Sequence, residues 1–483
     1  MEYSAYQKAI FDYLQHNKGN LIVEAVAGSG KSFTLEHSIR YLLQHSPTTR
    51  ILAVMFNKHN QTSLSNKLEQ YGDTVDVKTL HSIGYNMLMQ SYGRLTLDTN
   101  KYYTLIENFI KQYKLPVTII PELRKVIHFA QVTESYQLNE YTIQTLLNTY
   151  NIPIEHLSNK KLVSYCNAIM KVGLKHTQQG YIDFNDMIFA PNVLGLQYTY
   201  TPDIILIDEA QDLSNAQLGI ALRIGSMNSR YVAFGDSKQA IQMFAGSMSN
   251  SMKIIQSKTN AHTLPLSICY RCPSSHLDLA RKIVPYIENK PDCIEGSIEY
   301  ITKSKAIDMF AEGDLIICRH NAPMIRLAIR AIKNNVAGVK VRGRDIGKDI
   351  MKHYKAIKKE YGNVNEETMQ QYKSDMIAKY TDRGLSENSI AILKDTIECL
   401  ASIQEHYDNV QQGIDTLFAD TGTGIIFSSV HRAKGNEAER VFILEPELLD
   451  KDYADSNCEQ VQQRKNVKYV ALTRSKGTLV FVQ

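Results

Sequence analysis

The chain contains no tryptophan, so any stacking on a planar ligand must come from its tyrosine, phenylalanine or histidine side chains. Its seven cysteines are odd in number and lack framework spacing, which excludes a disulfide scaffold and fits a reducing compartment. Cys269 and Cys272 form one CxxC, but no second pair stands near enough to complete a zinc site. An excess of one charge is missing too. Lys and Arg number 54 against 50 Asp and Glu, a net +4, so any polyanion-binding surface must be local. No apolar run approaches the length of a membrane span, and the N-terminus shows no signal-peptide core. Together these predict a cytoplasmic protein with no membrane partner. The remaining composition, 43% hydrophobic and 22% charged over 483 residues, is that of a globular chain long enough for about two to four domains.

What is present starts with Ala25 to Ser32, AVAGSGKS, directly after the apolar run Leu21-Ile22-Val23. This reads as a buried strand entering a glycine-rich turn that opens a helix. Gly28 and Gly30, with Ala27 and Ser29 between and beside them, let successive backbone N–H groups face phosphate oxygens. Lys31 would reach the β- and γ-phosphates, and the Ser32 hydroxyl would ligand Mg²⁺. Ala25 stands where the strict GxxxxGK[ST] pattern has its first glycine. A second apolar strand, in Ile204 to Asp212 (IILIDEAQD), ends in two carboxylates. Asp208 would hold Mg²⁺ and Glu209 would orient and deprotonate the attacking water. A third, in Val232 to Gly246, leads into Asp236 and Gln239; ligands sit at the carboxyl ends of strands in such sheets, so Gln239 would sense the γ-phosphate. These three stretches predict nucleoside triphosphate hydrolysis.

Strands are expected at Leu21–Ala25, Arg50–Phe56, Thr74–Lys78, Asp203–Ile207, Arg230–Phe234 and His262–Leu264, with helices at Lys31–His45 and Asn57–Tyr71 between them. Between Gln90 and Gln179 helical periods rich in Lys, Tyr and Gln take over, broken at Pro116, Pro121 and Pro153. A second alternating unit has expected strands at Ser297–Ile301, Asp314–Cys318, Val339–Arg342, Gly424–Ser428, Arg440–Leu444 and Thr478–Val482. Its expected helices are Pro273–Ile287 and Ala322–Asn334. Helical patterns return from Gly343 to Thr423, with turns at Gly362-Asn363 and Arg383-Gly384. The layout is two α/β cores with parallel sheets, each interrupted by a helical insertion.

The order of these motifs, followed by CYRC (269–272), HRAKGNE (431–437) and YVALTRS (469–475), resembles superfamily 1 DNA helicases of the UvrD/Rep type from Gln7 to Ser475. The DFND segment is somewhat closer to the F-box DNA helicase branch. The resemblance implies two RecA-like P-loop domains: 1A (1–89 and 180–270) with insertion 1B (90–179), and 2A (271–342 and 424–483) with a short insertion 2B (343–423). It implies ATP and Mg²⁺ in the 1A/2A cleft. By the same resemblance Gln7 would read the adenine edge, Tyr270 would stack on the base, and Glu437 would accept from the ribose. Arg271 and Arg474 would be arginine fingers, neutralising charge on the transferring phosphoryl group.

Segments resembling the family's DNA channel are Phe56-Asn57-Lys58, Thr79-Leu80-His81-Ser82 and Asp183-Phe184-Asn185-Asp186. Thr79, His81 and Ser82 would donate to phosphates, and Phe56, Phe184 and Phe244 would stack on bases, at about 1–3 kcal/mol per base. His431, near Lys434, would link DNA contact to the ATP site. Between Arg319 and Lys359 basic residues crowd, opposed in sequence only by Asp345 and Asp349; this is either a solvated face or a contact to the DNA backbone. Gln242, Phe244 and Ala245 stand where the family usually has Tyr, Trp and Arg. The implied partner is single-stranded DNA and its junctions with duplex, engaged by a monomer in the cytoplasm of a bacterial or phage-infected cell. Three readings stay open: a 3′–5′ helicase, a translocase that strips proteins from the strand and unwinds weakly, and a nucleotide-gated clamp with little turnover.

Overall fold

The computed structural model describes residues 2–150, 152–242, 246, 250–382, 387–418, 424–450 and 458–483. The chain divides into two compact units, Met1–Val26 with Gly30–Ser267, and Ala27–Ser29 with Ile268–Gln483. Both are α/β with a six-stranded, all-parallel sheet, the RecA-like kind of core.

In the first unit the sheet strands are β1 (Leu21–Ala25), β2 (Ile51–Met55), β3 (Val75–Thr79), β4 (Ile204–Ile207), β5 (Arg230–Gly235) and β6 (His262–Leu266). Their order across the sheet is β3-β2-β4-β5-β1-β6. β2 and β4 are buried at every position, as central strands covered by helices on both faces must be. Because all six run the same way, their carboxyl ends share one edge. That edge receives the glycine turn after β1, Phe56 after β2, Thr79 at the end of β3, Asp208 after β4 and Asp236 after β5.

The helical insertion consists of Lys101–Tyr113, Ile120–Val132, Glu140–Tyr150 and Asn159–Gln178. Ile106, Leu123, Val126, Leu162, Cys166 and Met170 are fully buried within it, a core of its own. A short parallel pairing of Thr96–Leu97 with Tyr181–Ile182 closes its neck.

The second unit's sheet is built from β7 (Ser297–Ile301), β8 (Leu315–Cys318), β9 (Val339–Val341), β10 (Ile425–Ser429), β11 (Ala438–Leu444) and β12 (Ser475–Val482), in the order β7-β12-β11-β8-β10-β9. Its insertion has helices Arg344–Tyr361, Glu366–Asp382, Glu387–Gln404 and Val410–Leu417. Gly362, at φ 82°, ends the first of them, as the Gly-Asn pair predicts. The Arg383-Gly384 turn lies outside the described residues.

One expected helix is shorter than its pattern. The segment from Pro273 is helical only over Ser274–Arg281, with turns at Ile283 and Val284. Pro285 forbids the continuing helical hydrogen bond and disfavours the helical region for the residue before it.

Candidate functional site

In the first unit, the helix Lys31–His45 begins at Gly30, whose φ is 76°, and no side chain caps it. Gly28 has φ 68°. Both positions lie in the left-handed region that glycine reaches without a Cβ penalty, and the curl leaves the helix start as a set of donors for an anion. Ala27 and Ser29 are buried, and the Ser29 hydroxyl oxygen has no hydrogen-bond partner.

Lys31 Nζ lies 2.5 Å from Glu209 Oε1 and 3.7 Å from Asp208 Oδ1. Burial alone would lower the ammonium pKa, but the charges of Glu209 and Asp208 outweigh it and hold Lys31 above its ordinary value. Asp208 is buried, and neither of its carboxylate oxygens receives a hydrogen bond. That desolvation pushes its carboxyl up to about 6, against the pull of Lys31. A buried carboxylate with no donors is costly unless a cation completes it. With the exposed Ser32 at the start of the same helix, the oxygen donors suit a hard divalent ion such as Mg²⁺.

Glu209 sits at φ 51°, a left-handed conformation that a non-glycine residue adopts only when its surroundings enforce it. Gln211 supplies part of that enforcement. Its Nε2 donates to Glu209 Oε2 at 2.5 Å, while its Oε1 accepts the Asp236 N–H at 3.1 Å. This buried amide ties the end of β4 to the end of β5, and the motif reading passed over it. The only sequence signal was its place in DEAQD, two residues beyond the proposed base. Gln239 Nε2 donates to Asp236 Oδ2 at 2.6 Å, so the expected sensor is held by the neighbouring carboxylate. Burial raises Asp236 to about 7.

Gln7 is not a surface residue of its helix. Its Oε1 accepts the Ser4 N–H at 3.0 Å and its Nε2 donates to Thr34 Oγ1 at 3.1 Å, closing a capping box and bracing the helix that carries Lys31.

In the second unit, Arg271 Nε donates to Glu437 and its Nη1 reaches Thr473 O at 3.3 Å. Glu437 also pairs with Lys476 at 2.7 Å, so each of its oxygens faces a cation. Arg474 is buried; its guanidinium meets Val470 O at 2.9 Å, Asn436 O at 3.4 Å and Thr473 Oγ1 at 3.2 Å. Burial first, then the charge of Arg271, pushes Arg474 down to about 10. Two guanidinium groups near enough to repel are a ready receptor for a polyanion. Tyr270 is 39% exposed beside them. Cys269 and Cys272 flank this pair as free, buried thiols, with the Cys272 N–H donating to Cys269 Sγ at 3.4 Å. Glu437 and Arg474 precede β11 and β12, whereas His431 follows β10 at the opposite, carboxyl edge of the sheet. His431 is pushed down to about 3 by desolvation and then by Arg319, so it is a neutral ring, not a cation.

The strand-contact candidates divide. Phe56, His81 and Asn185 come together with Gln131, Asp212 and Gln242 around a cavity of ≈ 190 Å³ in the first unit. Phe56 is half-buried against the core, and Phe184 is 53% exposed. Phe244 lies outside the described residues. Ser82 is not the open donor expected, whereas Thr79 keeps its O–H while its oxygen serves as a cap. Thr79 caps the helix Leu80–Tyr92 by accepting the Ser82 N–H, and the Ser82 hydroxyl donates to Thr79 O at 2.8 Å. Asn57 likewise caps the helix Lys58–Leu68, and Lys58 donates to Gln61 Oε1 at 2.7 Å. In the basic stretch of the second unit, Arg326 meets Glu398 at 3.5 Å, which balances part of the charge, whereas Asp345 is taken by Arg432 from outside the stretch.

The model of the UvrD/REP helicase N-terminal domain matches residues 6–260. The chain belongs to the UvrD/REP helicase family. Among curated relatives, it is 25% identical over 299 residues to an ATP-dependent DNA helicase PcrA of Leuconostoc citreum, covering 56% of this chain and 38% of that protein. It is 24% identical over 288 residues to DNA helicase II of Escherichia coli and of Salmonella typhimurium, covering 55% of this chain and 38% of each. The aligned stretch thus spans well under half the length of these relatives. The match of the UvrD/REP model runs over the phosphate loop, the Asp-Glu pair and Gln239, and ends before Arg271. No helix among the described residues is long and apolar enough to cross a membrane.

Proposed function

We propose that this UvrD/REP-family chain is an ATP-driven motor on single-stranded DNA that moves 3′ to 5′ and opens duplex ahead of it. The observation that carries the reading is the Lys31–Glu209–Asp208 cluster at the start of an uncapped helix: an ammonium, a strained carboxylate and a buried carboxylate that accepts no hydrogen bond, in one place. The relatives' names, ATP-dependent DNA helicase and DNA helicase II, agree with it.

Lys31 pairs with Glu209. A triphosphate in the glycine turn offers the ammonium a stronger partner, so Lys31 swings to the β,γ-oxygens and Glu209 is released to take a proton from water. Gln211 keeps the freed carboxylate aimed. Ser32 and Asp208 would hold Mg²⁺, which supplies charge neutralisation on the phosphates. Arg271 and Arg474, in the second unit, would neutralise charge on the transferring phosphoryl group, as arginine fingers do. The proposed domains are 1A and 2A for the α/β cores and 1B and 2B for the insertions. Alternating grip of the two cores on the strand turns that cycle into stepping, with Phe56 and Phe184 as sequence-tolerant stacking platforms.

Strand displacement on duplexes with a 3′ or a 5′ single-stranded tail tests the reading. Release of the strand from the 3′-tailed duplex with ATP is expected. Release from the 5′-tailed duplex alone would overturn the polarity. The compact second insertion favours a variant of the same motor that clears bound proteins from the strand and unwinds weakly; removal of a bound protein without duplex opening would select it.

A further inference from the structure

We infer that Lys101 and Asp186 are a positioning pair through which the first helical insertion sets the strand-contact tip Phe184–Asn185. The inference rests on the motor reading above.

Lys101 opens the insertion helix Lys101–Tyr113, far in sequence from the tip. Its Nζ lies 2.5 Å from Asp186 Oδ2 and donates to Thr177 Oγ1 at 2.7 Å, on the insertion's last helix. The neighbouring Tyr102 hydroxyl donates to Asp186 Oδ1 at 3.2 Å. Lys101 is 2% exposed and Asp186 and Thr177 are 0% exposed, so these contacts are shielded from water. Asp186 then holds the turn itself. Its Oδ2 accepts the Asp183 N–H at 2.9 Å, and Asp183 Oδ1 accepts the Asp186 N–H at 2.8 Å. The two residues between are the exposed Phe184 and the half-buried Asn185. Asn185 Nδ2 donates to Gln131 Oε1 at 3.1 Å and meets His128 Nδ1 at 2.9 Å, both on the second insertion helix, Ile120–Val132. Four insertion side chains from the first and second helices, and Thr177 from the last, thus fix a four-residue turn from below and from one side.

A buried ion pair gains little over apolar packing of the same volume, so gluing the insertion to the core does not require one. What it adds is direction. Each oxygen of Asp186 has assigned donors, and a shift of the insertion moves the carboxylate and, through two backbone N–H bonds, the tip. An aromatic platform is sensitive to such shifts, because a displacement of about 1 Å is enough to lose a reactive or stacking geometry.

The test compares the wild-type chain with Tyr102→Phe and with the double variant Lys101→Met/Asp186→Asn. The amide of the second keeps the size of Asp186 and an acceptor for Asp183. ATP turnover is titrated with an oligodeoxythymidylate. The half-saturating strand concentration should rise about threefold in Tyr102→Phe and about tenfold in the double variant, with turnover at saturating strand and strand-free turnover within about twofold of wild type. An unchanged half-saturation in Tyr102→Phe overturns the inference, and that variant decides if the double variant does not fold. Loss of saturating turnover with half-saturation unchanged also overturns it. Wild-type turnover that ignores the oligonucleotide brings down the motor reading itself, a separate and visible failure.

Discussion

Lys31 Nζ stands 2.5 Å from Glu209 Oε1, so the proposed phosphate ligand and the proposed base are ion-paired with each other. The pair makes the two substitutions distinguishable. Lys31→Ala should abolish both nucleotide binding and turnover, since it removes the cation that replaces Glu209's partner with phosphate. Glu209→Gln should retain ATP binding and lose about 10²–10⁴-fold in turnover, the range for a lost general base. Isothermal titration with ATP beside a phosphate-release assay separates the two. Undiminished turnover in Glu209→Gln would mean the base is another group.

Acidification should act through Asp208. Its carboxyl is raised to about 6 by burial, so it is ionised above that pH and protonated below it. Only the carboxylate can hold a divalent cation, so kcat/KM for ATP should fall on an acid limb centred near that value. Asp236, raised to about 7 by burial, carries the opposite consequence for stability. A carboxyl whose folded pKa lies above its unfolded one binds its proton more tightly in the folded state, so its contribution weakens as pH rises through the folded value. Asp236→Asn should therefore raise Tm more at about pH 8 than at about pH 5.5. Equal gains at both would show that Asp236 does not titrate in this range.

Gln211 joins Glu209 to the Asp236 backbone N–H from a buried position. Gln211→Leu leaves that N–H unpaired and lets the strained Glu209 relax. A stability loss of about 1–3 kcal/mol is expected in urea unfolding, the cost of a buried unsatisfied group. Turnover should drop with ATP affinity held, because Lys31 and the glycine turn are untouched.

Arg271 is gripped by Glu437, and Arg474 by backbone carbonyls. Arg271→Ala and Arg474→Ala should each lower turnover by about 10²–10³-fold while ATP still binds, the range for lost transition-state donors. Parallel loss of ATP affinity and turnover would place these groups in ground-state binding instead.

Phe184→Ala should weaken the oligodeoxythymidylate by about 1–3 kcal/mol, the worth of one stacked base. Fluorescence anisotropy with labelled strand measures it. Equal affinity would leave Phe184 outside the strand path.

The fold was legible because the strands that carry the site are apolar runs that stop at a residue able to turn or carry charge: Ala25 before the glycines, Ile207 before Asp208, Gly235 before Asp236. Local sequence also revealed the phosphate loop and the Asp-Glu pair, since their chemistry depends on neighbours in the chain. What it hid depends on contacts across the fold. The role of Gln211 appears only once β4 and β5 lie side by side. Ser82 looks like a phosphate donor in a string, but at a helix start its hydroxyl donates to Thr79 O. Gln7 is an adenine contact by resemblance, and its bond to Thr34 shows only once the two helices are packed together. Lys101 and Asp186 stand 85 positions apart, and no periodicity joins them.

The central claim is that a triphosphate site and a strand-binding surface in one chain are energetically linked. The most direct test is the rate of ATP hydrolysis by the wild-type chain with Mg²⁺, measured with and without single-stranded DNA. A rate raised at least about tenfold by the strand, and abolished in Lys31→Ala, is what the account predicts. A rate that is negligible in both conditions, or the same in both, would contradict it.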